Sequence, residues 1–185
     1  MHLPIVGEPY RVIAYHRPTL LTHLLDLNDD DRYGRFATSL SNAGITSYVN
    51  RIDLERDIGL AVASADERII GFIHLAVHGD AAELGASVSA PWRRQGVAQQ
   101  LFKAAVKSAR SAGIREIHLA TAHPVARHIL TRLGYPCRMQ MTYPRGVVPL
   151  QDTAAFHLAD ISELARELPL WVDLSRSGQR DSAVR

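Results

Sequence analysis

Between Glu83 and Gly113 the chain reads ELGASVSAPWRRQGVAQQLFKAAVKSARSAG, a strand of small residues that runs through a proline and two arginines into a helical pattern. Ala98, Leu101, Phe102, Ala105, Ala109 and Ala112 fall on one apolar stripe, with Lys103, Lys107 and Arg110 off it. Gly113 supplies a stop. A helix over Gly96 to Ala112 is predicted, entered from a strand ending at Ser89. Its first turn carries a puzzle. The macrodipole is already positive at a helix start, so Arg93 and Arg94 are badly placed there. Either they are solvated loop residues, or an anion sits among them. Free amides at a helix start, a glycine that lets a ligand approach the backbone, the small Ala98 and two bidentate donors would suit phosphate oxygens.

The rest of the chain fits around this unit. YRVIAYH is a candidate strand, and leucines at helical spacing follow in TLLTHLLDL, with Thr19 as candidate cap. NDDDRYGRFATSL begins with cap-type residues at Asn28 and Asp29, and SNAGITSYVNRI continues the helical region. From Asp57 the pattern changes to three strands, DIGLAVAS, RIIGFIHLAV and AELGASVS, joined by ADE and HGDA, neither an ideal two-residue turn. Beyond the long helix come a strand in REIHLATA, a helix in PVARHILTRL stopped by Gly134, and a strand in YPCRMQMTY. TAAFHLAD is a further expected strand, ISELARELP a short helix, and residues 171–185 a fraying tail. The sum is an α+β (mixed α/β, three-layer) domain over residues 1–170, its core about 20–160. It combines an antiparallel meander with a βαβ crossover.

Composition narrows the function. A net charge of +2 and a pI near 8.9, with Lys and Arg scattered, do not support nucleic-acid binding, and the Lys103, Lys107, Arg110 face reads better as solvated. One cysteine, Cys137, excludes an internal disulfide framework. No run approaches a membrane span, and the N-terminus lacks the pattern of a signal peptide, so a cytoplasmic location is expected. His123 and His128 are five apart without a Cys or carboxylate cluster, so no metal is expected. Phosphate motifs of the P-loop and dinucleotide types are absent.

One family does resemble the chain. In the Gcn5-related N-acetyltransferases (GNAT), [Q/R]-x-x-G-x-[G/A] follows a strand and turn. SVSAPWRRQGVA supplies Val88, Pro91, Arg93, Gly96 and Ala98 in that pattern. The family's second motif, N-x-x-A-x-x-L-Y-x-K-x-G-[F/Y], resembles HPVARHILTRLGY, with Ala126, Ile129, Arg132, Gly134 and Tyr135 in register. The resemblance covers residues 57–144 well and 29–52 more loosely. LNDDDRYGRFATSL is similar to the helical lead-in of bacterial protein lysine acetyltransferases.

The resemblance implies an acyl-CoA-dependent N-acyltransferase, with acetyl-CoA as cosubstrate and a protein lysine or small amine as acceptor. It implies that the pyrophosphate rests on amides from Arg94 through Gln95, Gly96 and Val97 to Ala98, with Arg93 and Arg94 at the rim. The Val88 amide would stabilise the thioester oxygen, and neighbouring backbone at Ser89 and Ala90 would pair with the pantetheine arm. A deprotonating base is also required. Glu83 is the first candidate, against a plain solvent-facing strand glutamate. His74 and His78 are weaker, each open to a structural explanation.

Two positions depart from the pattern. His123 stands where the family has Asn; it either contacts the cofactor or serves the core or surface. Leu130 stands where a Tyr often protonates the leaving thiolate, which closes that route. Thiolate departure unassisted or helped by water remains reasonable chemistry, since a thiol pKa is about 8.5. Asp29, Asp30 and Asp31 attract a cationic amine or simply favour the macrodipole. A non-catalytic acyl-CoA-binding sensor is the alternative of a different class. Oligomeric state is not legible here, although homodimers are common in such folds.

Overall fold

The three strand-like runs after Asp57 form a meander, and a parallel strand joins it through the long helix. In the computed structural model, residues 7–121, 123–139 and 146–150 are described. The elements are β1 (Tyr10–Arg11), α1 (Arg17–Leu25), α2 (Asp29–Phe36), α3 (Asn42–Arg51), β2 (Ile58–Ala63), β3 (Ile69–His78) and β4 (Ala81–Val88), followed by α4 (Val97–Ser111), β5 (Glu116–Leu119), α5 (Pro124–Arg132), β6 (Arg138–Met139) and β7 (Gly146–Pro149). They build one sheet in the order β1-β2-β3-β4-β5-β7-β6, antiparallel except where β4 meets β5. The architecture is the mixed α/β fold with a mostly antiparallel sheet expected from the sequence.

Strand alternation sends side chains to two cores. Ile73, Leu75, Ala82 and Leu84 join Leu101, Phe102, Ala105, Val106, Ala109 and Leu130 under α4 and α5. Phe72 and Ala61 join Leu20, Leu24, Ile45 and Val49 under α1 and α3 on the other face. Each large apolar side chain buried this way contributes about 1.5–3 kcal/mol. That gain, more than propensity, holds α4 against the sheet. Gly71 shows how closely it lies: a Cβ there would stand 2.9 Å from both Leu101 Cδ1 and Val97 Cγ1.

Several local expectations shift. The predicted start of the long helix, Gly96, is its N-cap with φ +84°, and the helix proper begins at Val97. Asn28 does cap α2, accepting from the Asp31 amide. Thr19 does not cap α1; its hydroxyl donates to the His16 carbonyl, and the chain enters at Arg17–Pro18. The β3–β4 connection is tighter than HGDA suggested, because His78 and Ala81 are themselves paired and only Gly79 and Asp80 turn. Gly79 takes φ +64° there. The strand expected in YPCRMQMTY narrows to Arg138–Met139 and pairs with β7. The expected TAAFHLAD strand, ISELARELP helix and tail lie outside the described residues.

Candidate functional site

β4 and β5 pair only from Ala81↔Glu116 to Leu84↔Leu119. Past that point β4 continues four residues along β3 to Val88, while β5 ends. The Ser89 amide donates to the Ile70 carbonyl, so odd-numbered residues of β4 direct their backbone groups to β3. By the same alternation Ala86 and Val88 present theirs to the side that β5 has left. The parting strands therefore open a cleft with a backbone edge along one wall.

That cleft, about 520 Å³, runs from Leu84–Val88 to the start of α4. Gln100 N to Gly96 O is the first i→i+4 bond of α4, and no side chain of the described residues caps the helix. The amides of Val97, Ala98 and Gln99 are thus the unsatisfied donors of its first turn. No atom of the described residues lies within 4 Å of a Cβ built on Gly96, so the backbone is open to a ligand there. Arg94, also left-handed at φ +61°, stands exposed beside it.

Among the described residues the lining takes in Val88, Arg93, Arg94, Gly96, Ala98 and His123, but not Glu83, Ser89, Ala90, Gln95 or Val97. Ser89 and Ala90 are engaged within the fold: their carbonyls accept from the Trp92 and Arg93 amides. Gln95 ties the turn together by donating from Nε2 to the Pro91 carbonyl at 2.8 Å. Val97 is buried beneath the helix start. Glu83 is exposed and shares its face of β4 with Gly85 and Ser87.

Arg93 does more than stand at a rim. Its Nη2 donates to Asp31 Oδ2 at 2.6 Å, and its Nε to the Val88 carbonyl at 3.1 Å. The fixed charge is offset, and α2 is fastened to the β4–α4 turn. Across the cleft, Thr121 Oγ1 donates to the Gly34 carbonyl at 2.9 Å. His123 caps α5, its Nδ1 accepting from the Val125 amide at 3.3 Å. This leaves the ring proton of the neutral form on Nε2, which lies 3.8 Å from the Cβ position of Gly34.

Leu130 is fully buried in the core under α5. His78 is exposed, and His74 is buried with both ring nitrogens committed. His74 Nε2 bonds Asp57 Oδ2 at 3.1 Å, and Nδ1 bonds the Tyr48 hydroxyl at 2.7 Å. Burial raises the Asp57 pKa, but the Val77 amide, His74 and Arg56 together hold the carboxyl below its usual range.

The polar cluster over the odd face of β4 is barely legible in the sequence, although His74 and the segment holding Arg35 are singled out there. Arg35, at the end of α2, is buried over Gly85, where a Cβ would lie 3.6 Å from its Cζ. Its Nη2 donates to the Tyr48 hydroxyl at 3.1 Å. His23 shares hydrogen bonds with Ser87 Oγ at 2.9 Å and Ser89 Oγ at 3.2 Å. Burial first, and the Arg35 charge second, push both His23 and His74 from 6.5 down to about 4. Arg35, Ser87 and Gly34 reach the cleft as well. The only signal available for Arg35 was an arginine three residues after Arg32 in a helix that otherwise looked solvated.

Among the described residues no group of three His, Cys, Asp or Glu could hold a metal ion, and no helix is long and apolar enough to cross a membrane.

Comparison with solved structures gives the same fold. The GNAT domain of S. lividans PAT superposes with a TM-score of 0.63 at 19% identity, covering 76% of this chain and 88% of that one. A GNAT superfamily phosphinothricin acetyltransferase from Sinorhizobium meliloti, in complex with AcCoA, gives 0.57 at 15%, covering 83% and 92%. The ribosomal-protein-S18-alanine N-acetyltransferase from Escherichia coli gives 0.54 at 14%, covering 80% and 96%. No curated protein matches the sequence. Residues 21–135, from α1 to the end of the second motif, match the Acetyltransferase (GNAT) family, and the parted strands and uncapped helix lie within that span: this chain belongs to the GNAT family.

Proposed function

We propose that the chain transfers an acetyl group from acetyl-CoA to a primary amine by direct attack of the amine on the thioester. The observation that carries this reading is the continuity of the cleft. A backbone edge at Ala86 and the Val88 amide, left by β5, leads to an uncapped helix start at Gly96. An extended amide-bearing arm can pair with the first, and a diphosphate with the second. Because Arg93 is held by Asp31, the backbone amides and Arg94 are the main anion donors in this proposal.

A primary ammonium has a pKa of about 10.4 and must lose a proton before it attacks. Glu83, exposed on the face of β4 that also carries Ser87, takes that proton directly or through a water. The Val88 amide donates to the carbonyl oxygen as negative charge develops. His123, with its proton on Nε2, contributes a donor at the far wall. The thiolate leaves without a side-chain acid at position 130, where Leu130 is sealed in the core.

Buried Leu130 is also the observation that favours the second reading, an acyl-CoA-binding sensor. Calorimetric titration with acetyl-CoA, paired with thiol-release assays on an amine panel, separates the two. The parent protein is expected to bind, and Gly96→Val to bind about tenfold more weakly or worse, since valine resists a φ of +84°. Glu83→Gln is expected to keep binding and lose about 10²–10⁴ in turnover. Binding without turnover on any amine establishes the sensor, and no binding by the parent refutes both.

A further inference from the structure

Arg35 is the one buried arginine among the described residues, 4% exposed. Arg56, Arg68, Arg93 and Arg115 each have a carboxylate within ion-pair distance. Among the described residues Arg35 has none. The nearest linked carboxylate is Asp57, and it is reached only through two neutral groups. Arg35 Nη2 donates to Tyr48, the Tyr48 hydroxyl donates to His74 Nδ1, and His74 Nε2 donates to Asp57.

The rest of the guanidinium is poorly satisfied. Among the described residues Nη1 has two marginal contacts, to the Phe72 carbonyl at 3.4 Å and Ser87 Oγ at 3.5 Å. Nε is buried and has no partner among the described residues. The rings of Phe36, Tyr48 and Phe72 surround Cζ at 5.2, 5.8 and 4.9 Å, which eases the charge without neutralising it. The same uncompensated charge depresses the basicity of His23 and His74. A buried cation without a counterion is strongly unfavourable unless something completes it. Arg35 lies where completion is available, in the cleft wall with Ser87 and against a glycine that adds no side chain.

We infer that Arg35 is the docking point for a carboxylate carried by the substrate of the transfer, with Ser87 as the accompanying hydroxyl. The planar guanidinium matches two carboxylate oxygens, and Nε and the weakly held Nη1 are the donors left for them. This rests on the acyl-transfer reading of the cleft and narrows its substrate class. The carboxylate belongs either to the acyl group, as in a dicarboxylic acyl-CoA, or to the amine, as in an amino acid.

The test uses the full chain and matched pairs. In one arm malonyl- and succinyl-CoA are compared with acetyl-CoA. In the other, amino acids are compared with their carboxamides at fixed acetyl-CoA. Both arms are read by thiol release and by calorimetry, for the parent, Arg35→Gln and Arg35→Lys. The parent is expected to favour the carboxylate-bearing member of one arm by about tenfold or more in kcat/KM. Arg35→Gln is expected to erase that preference, and whichever arm shows it identifies the carboxylate's source. Should Arg35→Gln fail to fold, Ser87→Ala removes the accompanying hydroxyl, and the favoured ligand must then lose affinity. As an independent readout, the ring signals of His23 and His74 in the parent must move when the favoured ligand binds, because their neighbouring charge is neutralised. A parent that binds and turns over acetyl-CoA without preference in either arm overturns this inference and leaves acyl transfer standing. A preference that survives Arg35→Gln also overturns it. Failure to bind any acyl-CoA removes the underlying reading itself.

Discussion

Arg93 and Asp31 meet at 2.6 Å, and that pair joins the second helix to the turn that opens the fourth. The sequence puzzle of two arginines at a positive helix end is thus half solved inside the protein. One arginine has an internal carboxylate, and the other, Arg94, stands exposed. Asp31→Asn is expected to cost less than about 1 kcal/mol of stability, since the pair is partly exposed. It should also strengthen acetyl-CoA binding at low salt by freeing Arg93, with the gain fading as ionic strength rises. Calorimetry across a salt series checks this. Weaker binding would mean that the fastening of α2 matters more than the freed charge.

Restoring the family's tyrosine should harm rather than help. Leu130 is fully buried, so Leu130→Tyr introduces an oversized ring and a hydroxyl into a filled core. A loss of about 1–3 kcal/mol is expected from overpacking, read by chemical denaturation. A variant as stable as the parent and faster in thiol release would show that the position can serve as an acid after all.

Gly71 offers a sharper packing test. A methyl group there would press at 2.9 Å on side chains of α4 from within β3. Gly71→Ala is expected to destabilise by about 1–3 kcal/mol and to lower the denaturant midpoint without changing its slope. An unchanged midpoint would mean that α4 can ride outward freely.

Acid should unfold the protein early. His23 and His74 have folded pKa values near 4, against 6.5 when unfolded, so the unfolded state binds more protons between those limits. Stability therefore falls as pH drops from about 6.5 to about 4, by a few kcal/mol per histidine, and is flat in this respect above. Asp57, held below its usual range, adds a further loss at lower pH. Denaturation at a series of pH values checks the slope, and His23→Gln should flatten it. A slope of opposite sign would place the histidines charged in the folded state.

Local patterns were legible where local physics decides them. The stripe from Ala98 to Ala112 located α4 to within a residue at each end, because one buried face fixes a helix. Asn28 was readable as a cap because the side chain that satisfies the amide is close in sequence. HGDA is short enough for the hairpin that forms, but its two-residue turn at Gly79 and Asp80 is not legible locally, since pairing of His78 with Ala81 depends on the two strands already being in register. Arg35 was not distinguishable from Arg32. Both stand in one polar helix, and only the placement of Phe72, Tyr48 and Gly85 from other elements buries one of them.

The sequence by itself determined the kind of site: a strand, a glycine turn and a long helix start that leave backbone donors unsatisfied, whatever surrounds them. Tertiary structure decided which charges remain for a ligand. It paired Arg93 with Asp31, sealed Leu130 into the core, and left Arg35 buried without a counterion among the described residues. Hydrogen-bonding periodicity acts between near neighbours in the chain, whereas compensation of the charges at this site depends on distances between residues far apart in sequence, such as Asp31 and Arg93.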